Sequence, residues 1–181
     1  MNVKCVVVGH LQTNCYILEI NDSILIIDPG DNFALIKDAI GENKTVEGVV
    51  ITHSHFDHIG ALEYAMNYYH VNKYGMDNLI EGTNNIGPFN FDVIYTKGHY
   101  FDSIVLYFKE ISTMFVGDFI FKDSIGRVDL EGASIPDMIK SINKILEFPN
   151  VKIMPGHGES TTLDDERETL KFFAKDLEYN L

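Results

Sequence analysis

"ITHSHFDHIG" (residues 51–60) places three histidines and an aspartate in six consecutive positions, after the apolar run "GVVIT". His53 and His55 would diverge by about 200° on a helix, but at an extended strand end residues two apart point the same way and can hold one ion. Adjacent side chains in irregular backbone point apart, so Asp57 and His58 can serve a second ion. This short loop therefore predicts ligands for two neighbouring metals.

Three further donors stand where predicted strands end, before glycine-rich or polar turns. His99 lies in "YTKGHY", Asp118 in "MFVGDF" and His157 in "IMPGHGES". Loops at strand ends are where a rigid scaffold places functional side chains. Five imidazoles and two carboxylates suffice for two divalent ions with one bridging carboxylate. Nitrogen and oxygen ligands without cysteine suit zinc, with iron or manganese as further options.

The order of predicted elements indicates the fold class. Short β-branched runs between turn residues predict strands, and a period of 3.6 residues predicts helices. The predicted strands are 3–9, 15–20, 23–28, 46–52, 91–96, 103–108, 112–118 and 151–156. The predicted helices are 32–40, 61–70, 134–148 and 162–177, with Ser134 and Thr162 as N-caps of the last two. Strands first, then strands mixed with helices, predict an α+β fold with sheet packed on sheet and helices outside.

Composition narrows the class of protein. A length of 181 residues, 45% of them hydrophobic, predicts one domain over residues 1–181. The formal net charge of −13 argues against a nucleic-acid partner, because phosphate binding needs a basic patch. No secretory or membrane-spanning apolar run is present, and Cys5 and Cys15 lack the spacing of a disulfide scaffold. We therefore expect a cytoplasmic protein with a small-molecule substrate and no membrane partner, and the oligomeric state stays open.

The motifs "THSHFDH", "TKGH", "VGDFIF", "IGRVDL" and "PGHGESTT" occur in this order and resemble the metallo-β-lactamase superfamily. Within it, residues 12 to about 170 look most like the small glyoxalase II-like hydrolases of the hydroxyacylglutathione hydrolase type. The resemblance implies a four-layer αβ/βα sandwich of two mixed sheets with the site at one edge between them. The ligands it implies are His53, His55 and His99 for the first ion, Asp57, His58 and His157 for the second, and Asp118 as the bridge.

The two-metal site and the resemblance together imply hydrolysis of small thioesters or esters. Two ions about 3.5–4 Å apart can hold a bridging hydroxide as nucleophile and polarise a carbonyl. Asp57 and Asp118 are the expected catalytic residues, and Asp57 is placed to orient the hydroxide and accept its proton. No extra acid stands beside the ligands, and a thiolate departs without protonation near neutral pH. Thioesters or activated esters are therefore favoured.

Two residues are candidate substrate contacts. Arg127 in "GRVD" stands close enough to the ligands to grip a substrate carboxylate, and a structural pair with Asp129 is the alternative. Tyr100 and Phe101 in "YFDS" replace the Thr-Pro-Gly that is usual in the family after this histidine, so they can reshape the pocket wall. Asp28 in "IIDPG" is either a turn residue or one that orients a metal-binding histidine.

The sequence differs from glyoxalase II enzymes in ways that leave the identity of the substrate undetermined. The chain ends in an acidic "DLEYNL", so we expect no C-terminal helical domain of the kind that holds glutathione. The loop over residues 71–90 has no clear match in the family. The alternative function is that of the persulfide dioxygenases of the same superfamily, which bind one iron through two histidines and an aspartate. Hydrolysis of β-lactams is disfavoured, because Asp118 stands where many true β-lactamases carry cysteine.

Overall fold

Two mixed β-sheets form the centre of the fold, which a computed structural model describes for residues 1–179. The first sheet contains, in spatial order, β1 (Asn2–Val8), β2 (Thr13–Ile20), β3 (Ser23–Ile27), β4 (Thr45–Val50) and β5 (Lys73–Tyr74). The remaining strands are β6 (Gly82–Ile86), β7 (Phe89–Tyr95), β8 (Ile104–Phe108), β9 (Thr113–Gly117), β10 (Ile120–Phe121), β11 (Ser124–Ile125), β12 (Lys152–Pro155) and β13 (Thr161–Thr162). β10 and β11 form a separate hairpin, and the others form the second sheet in the order β13-β12-β9-β8-β7-β6. The pairs β3–β4, β4–β5 and β9–β12 are parallel, and the other pairs are antiparallel.

Helices cover both outer faces of the sheets. They are α1 (Phe33–Ile40), α2 (Phe56–Ile59), α3 (Leu62–Tyr69), α4 (Ile135–Ile145) and α5 (Leu163–Tyr179), with a 3₁₀ turn over Lys109–Ile111. Ser134 is the N-cap of α4, as predicted, and its hydroxyl accepts a hydrogen bond from the backbone N–H of Asp137 at 3.3 Å. No helix within residues 1–179 combines the length and the apolar content that crossing a membrane requires.

Alternation along the strands divides the core into three hydrophobic layers. On β2, Tyr16 and Leu18 face the second sheet, whereas Cys15 and Ile17 face the helices, because successive strand side chains point to opposite faces. The middle layer fills the space between the sheets. One outer layer packs α1 and α3 against the first sheet, and the other packs α4 and α5 against the second. The predicted four-layer αβ/βα sandwich is confirmed.

Most differences from the prediction lie in short elements. The 71–90 loop contains β5 and β6, whose edge positions leave little of the alternation that marks a strand. The two-residue strands of the β10–β11 hairpin and β13 are too short for any periodic signal. The single-domain assignment over residues 1–181 stays a prediction, and its last two positions lie outside the described residues.

Candidate metal centre

The seven predicted donors meet at one end of the two sheets. The segment after β4 carries four of them, and the segments after β7, β9 and β12 carry one each. Because these strands belong to both sheets, the cluster lies across the seam between them. Three overlapping sets have donor atoms within 4.8 Å of one another: His53, His55 and His99; His53, His58 and Asp118; and Asp57, His58 and His157.

Distances within the cluster suit bound metal ions. Nδ1 of His55 lies 3.0 Å from Nε2 of His53 and 3.0 Å from Nε2 of His99. Ligands placed tetrahedrally at about 2.0–2.1 Å from zinc stand about 3.3 Å apart. On the other side of the cluster, Nε2 of His157 is 3.1 Å from Oδ2 of Asp57. Each half could therefore hold one divalent ion.

Asp118 lies between the two halves. Its Oδ1 is 3.2 Å from Nε2 of His58, and its Oδ2 is 3.4 Å from Nε2 of His157 and 3.7 Å from Nε2 of His99. β9 ends at Gly117, whose φ of 51° is the left-handed conformation that favours glycine, and this turn leads directly into the aspartate. The carboxylate is thus within reach of donors from both halves, as a bridging ligand would be.

Hydrogen bonds on the far side of two rings fix which nitrogen faces the cluster. Nδ1 of His99 donates to the carbonyl of Arg127 at 2.8 Å, and Nδ1 of His157 donates to the carbonyl of Leu11 at 3.0 Å. A neutral ring that donates through Nδ1 has its lone pair on Nε2. Nε2 therefore faces the cluster in both rings and is the nitrogen that would bind a metal.

Asp28 likewise fixes the orientation of the His58 ring and, through Thr52, that of the His53 ring. Its buried carboxylate accepts hydrogen bonds from Nδ1 of His58 at 2.9 Å, from the backbone N–H of Thr52 at 2.7 Å and from the Thr52 hydroxyl at 2.6 Å. Because that hydroxyl donates to Asp28, it accepts from Nδ1 of His53, 3.1 Å away. Of the two interpretations of Asp28, these contacts support the orienting role.

Nε2 of His58 and Oδ1 of Asp118 are buried and lie 3.2 Å apart, but neither makes a hydrogen bond of good geometry within the described residues. An unsatisfied buried polar atom costs about 1–3 kcal/mol, and a bound cation would satisfy both. Gly156 keeps the space beside them open, because a Cβ there would lie 2.2 Å from Oδ1 of Asp118 and 2.7 Å from Cε1 of His58. The residues present therefore fit a bound metal.

Burial keeps part of the cluster uncharged. It lowers the pKa of His53 well below its ordinary value, and the nearby His58 adds to this effect. Burial, followed by the neighbouring His99, also lowers the pKa of His55. These rings are neutral near pH 7 without any ion, and neutral imidazole is the form that binds metals.

The other half of the cluster is charged before metal binds. Burial opposes ionisation of His58, but Asp28 and Asp118 outweigh it and raise the pKa of this ring to about 10. Hydrogen bonds to Asp118 and Asp57 raise the pKa of His157 to about 10. Burial works against the Asp57 carboxylate, yet its hydrogen bond with His157 brings its pKa down to about 2. Metal ions would replace the two ring protons as the counter-charges of these carboxylates.

The local backbone around His58 differs from the irregular loop that the sequence predicted. Residues Phe56–Ile59 form one helical turn, α2, so Asp57 and His58 project from a helix. Gly30 and Gly60 allow this turn to lie against the "PG" segment, since a Cβ on Gly30 would stand 1.8 Å from the carbonyl oxygen of Asp57. Gly60, which ends the stretch "ITHSHFDHIG", is thus required for this close packing.

Sequence reasoning missed two residues of β2 that support the cluster. The buried Thr13 donates from its hydroxyl to Oδ2 of Asp57 at 3.1 Å. Asn14 donates from its amide to the carbonyls of Pro155 and Gly158, each at 3.0 Å, and so holds the loop that carries His157. The only signal was "QTN", which is also an ordinary turn sequence.

A cavity of about 1060 Å³ opens beside the cluster. It is lined by His55, His99, Asp57, Asp118 and His157, and by both predicted substrate contacts, Tyr100 and Arg127. Its volume is at the upper end of that of typical small-molecule sites.

The Arg127 guanidinium is paired with Asp129 through two hydrogen bonds, of 2.9 and 2.7 Å. Both alternatives for this residue therefore hold in part: it borders the cavity, and its charge is engaged by a neighbour.

Comparison with known proteins agrees with this geometry. The sequence profile of the metallo-beta-lactamase superfamily matches residues 8–89 and 77–157. The chain belongs to the metallo-beta-lactamase superfamily. This confirms the resemblance drawn from the ligand motifs.

Superfamily members of similar length cover nearly the whole chain. "Probable metallo-hydrolase YqgX" of Bacillus subtilis is 34% identical over 91% of this chain and 94% of its own. "Hydroxyacylglutathione hydrolase GloC" of Haemophilus influenzae is 26% identical over 95% and 98%. Among solved structures, the B3 metallo-beta-lactamase BLEG-1 has a TM-score of 0.88 at 31% identity, covering 95% of this chain and 99% of its own. TTHA1623 in a di-iron-bound form has a TM-score of 0.84 at 29% identity, covering 93% and 99%.

Proposed function

We propose that this protein is a binuclear-metal hydrolase of small thioesters or esters. The observation that carries the proposal is the cluster itself, in which seven donors form two halves around Asp118 and face a cavity. A structural metal site is normally closed by its ligands, whereas a catalytic site keeps a position open to substrate. The open cavity beside the donors supports the catalytic alternative.

The ligand assignment in this proposal follows the two halves. The first ion would be held by His53, His55 and His99, the second by Asp57, His58 and His157, and Asp118 would bridge them. Donor distances of 3.0–3.7 Å support it. The nitrogen and oxygen donors favour zinc, and the di-iron form of the relative TTHA1623 supports iron as the second option.

Two bound ions would supply a hydroxide nucleophile at neutral pH and a Lewis acid for the substrate carbonyl. The chain's own contribution is positioning. Thr13 holds the Asp57 carboxylate, which is ionised at neutral pH and can accept a proton from the attacking water. Asp28, Leu11 and Arg127 hold the histidine rings from outside, so the donors need little reorganisation when substrate arrives.

The leaving group favours thioesters over amides. The titratable side chains that line the cavity, apart from the proposed ligands, are Tyr100, Arg127 and Glu131, and none of them is an imidazole, the side chain that most often transfers a proton near neutral pH. A thiolate needs no proton to depart. The Haemophilus influenzae relative, which is 26% identical, is named a hydroxyacylglutathione hydrolase, and this name also specifies a thioester bond.

A second candidate, a mononuclear-iron persulfide dioxygenase, rests on one donor set. His53, His58 and Asp118 offer two imidazoles and a carboxylate within 4.8 Å, which is the donor type of non-haem iron sites. The number and identity of bound metals separate this candidate from the hydrolase.

The first experiment is elemental analysis of purified protein from cells grown with zinc and iron, followed by a thiol-release assay with lactoylglutathione. We expect close to two metals per chain, mostly zinc, and thiol release that chelation abolishes. His99→Ala should lose both metal and activity. The matched control is His70→Asn, because His70 is exposed, lies outside the cluster and has a φ of 55° that asparagine tolerates. One iron per chain with oxygen uptake on a persulfide would favour the dioxygenase, and no bound metal would refute both.

A further inference from the structure

Apart from the metal donors themselves, the wall of the cavity is largely apolar. It is formed by Leu11, Phe56, Tyr100, Phe101, Phe121 and Leu130, together with fewer polar groups. Phe56 is 67% exposed, Phe101 57% and Leu11 44%. Several large apolar side chains held in water around one cavity indicate a binding surface, because monomeric proteins rarely expose such groups together.

One of these aromatic rings, that of Tyr100, stands directly beside a donor, and a second ring packs against it. The Tyr100 ring packs against His55 with a centroid separation of 4.2 Å, and against Phe101 at 4.5 Å. Gly132 makes this packing possible, since a Cβ there would lie 2.6 Å from Cε2 of Tyr100. The aromatic wall is thus fixed next to the place where a substrate carbonyl would react.

Charged groups around the cavity offer no free cation to a substrate carboxylate. Among residues 1–179, Arg127 is the one lysine or arginine that lines the cavity, and Asp129 engages its guanidinium through two hydrogen bonds. Lys122 lies in an adjoining pocket, and it is paired with Glu159 at 2.9 Å. Glu131 adds a carboxylate to the wall. Beyond the metal donors, the cavity suits an uncharged group better than an anionic one.

We propose that the preferred substrates are thioesters whose parts outside the reacting carbonyl are uncharged and apolar or aromatic, and that thioesters of an anionic thiol such as glutathione are cleaved less efficiently. This inference rests on the proposed hydrolase function and names its substrate class. In the reaction, water adds its oxygen to the acyl carbon, the carbon–sulfur bond breaks, and the products are a carboxylic acid and an uncharged thiol.

The test compares S-lactoylglutathione with the S-lactoyl derivative of N-acetylglutathione diamide, in which both carboxylates are amides and the amine is acetylated, so that this second substrate, the diamide, carries no charge. The zinc-loaded protein is assayed by thiol release. We expect kcat/KM to favour the diamide at least about five-fold, the factor given by one like-charge contact near 4 Å in water. The difference should appear in KM, because the altered groups lie away from the reacting carbonyl.

Asp129→Ala releases the Arg127 guanidinium and should raise kcat/KM for S-lactoylglutathione about two- to five-fold while leaving the diamide unchanged. Its matched control is Glu168→Ala, which breaks another exposed ion pair, with Lys171 on α5. Phe101→Ala should lower kcat/KM for an S-phenylacetyl thioester about two- to ten-fold relative to an S-acetyl thioester. Phe172→Ala removes a similarly exposed ring that does not line the cavity, and serves as its control.

Failure of the inference differs from failure of the proposed function. Equal or better hydrolysis of S-lactoylglutathione, with the diamide also cleaved, would overturn the substrate class and leave the hydrolase in place. Thiol release from neither substrate, with metal shown to be bound, would overturn both.

Discussion

Asp28→Asn isolates the orienting role of a residue that lies outside the metal donors. Asparagine keeps the size of the side chain and tolerates the left-handed backbone of this position, where φ is 51°. Only the charge and one acceptor change. The substitution therefore tests hydrogen bonding to His58 and Thr52 without opening a cavity.

The expected magnitude follows from the three hydrogen bonds that Asp28 accepts. If the asparagine oxygen keeps the Thr52 backbone N–H, its NH₂ group faces both the Thr52 hydroxyl and Nδ1 of His58. The ring must then present a lone pair at Nδ1, which places its proton on Nε2 and blocks metal binding there. Loss of such a supporting partner typically costs 10- to 100-fold in metal affinity, or about 1.4–2.7 kcal/mol.

Zinc affinity is measured by competition with a chelating dye, site by site. We expect the binding step that fills the half with His58 to shift most, because the His53, His55 and His99 half touches Asp28 only through Thr52. Asp31→Asn is the control, since Asp31 is exposed and its carboxylate bonds to the backbone of Asn32. Unchanged affinity in Asp28→Asn would refute the reasoning, as would an equal loss in the control.

Three further predictions concern the cluster and its support. Gly156→Ala should lower the metal content per chain, because its methyl group would enter the donor cluster. Binding of two zinc ions at pH 8 should release about three protons: two from His58 and His157, whose pKa values are raised to about 10 in metal-free protein, and one from the water that would become hydroxide. Affinity should therefore rise with pH up to about 10. Calorimetry in buffers of different ionisation enthalpy measures this release. Glu166→Ala should lower the free energy of unfolding by about 1–3 kcal/mol, measured by urea denaturation, because it removes a buried carboxylate that accepts two hydrogen bonds, from the Asp123 N–H and the Thr161 hydroxyl.

Each of these has its own control. Gly41→Ala, strained by a φ of 81° but free of close contacts, should lower the melting temperature without lowering metal content. Release of about one proton or fewer at pH 8 would contradict the charged state of His58 and His157. Glu166→Gln should be milder than Glu166→Ala, because glutamine can accept from Asp123 and donate to the Thr161 hydroxyl; equal losses would show that charge is what matters at this position.

Convergence of the donors was predictable because it depends on topology. His99, Asp118 and His157 each follow a strand whose alternation is visible, and strand ends of packed sheets meet at one edge. Contacts made by side-chain rotamers were not predictable in the same way. The Arg127 side chain can point into the cavity or pair with Asp129, two residues away. Both side chains are exposed, and the sequence alone permits either arrangement. The close approach around Gly156 likewise exists only once both sheets are in place.

The position of the cluster across the seam also has a consequence for the order in which the chain is made. During synthesis, the segment with four of the donors emerges from the ribosome first, but neither half of the site is complete at that stage. The first half waits for His99 and the second for His157, near the far end of the chain. The second half therefore cannot assemble its donors until His157 has been made and β12 is in place, so binding of ions in both halves has to follow folding of the second sheet. The metal that each molecule carries would then depend on the ions that the finished protein meets.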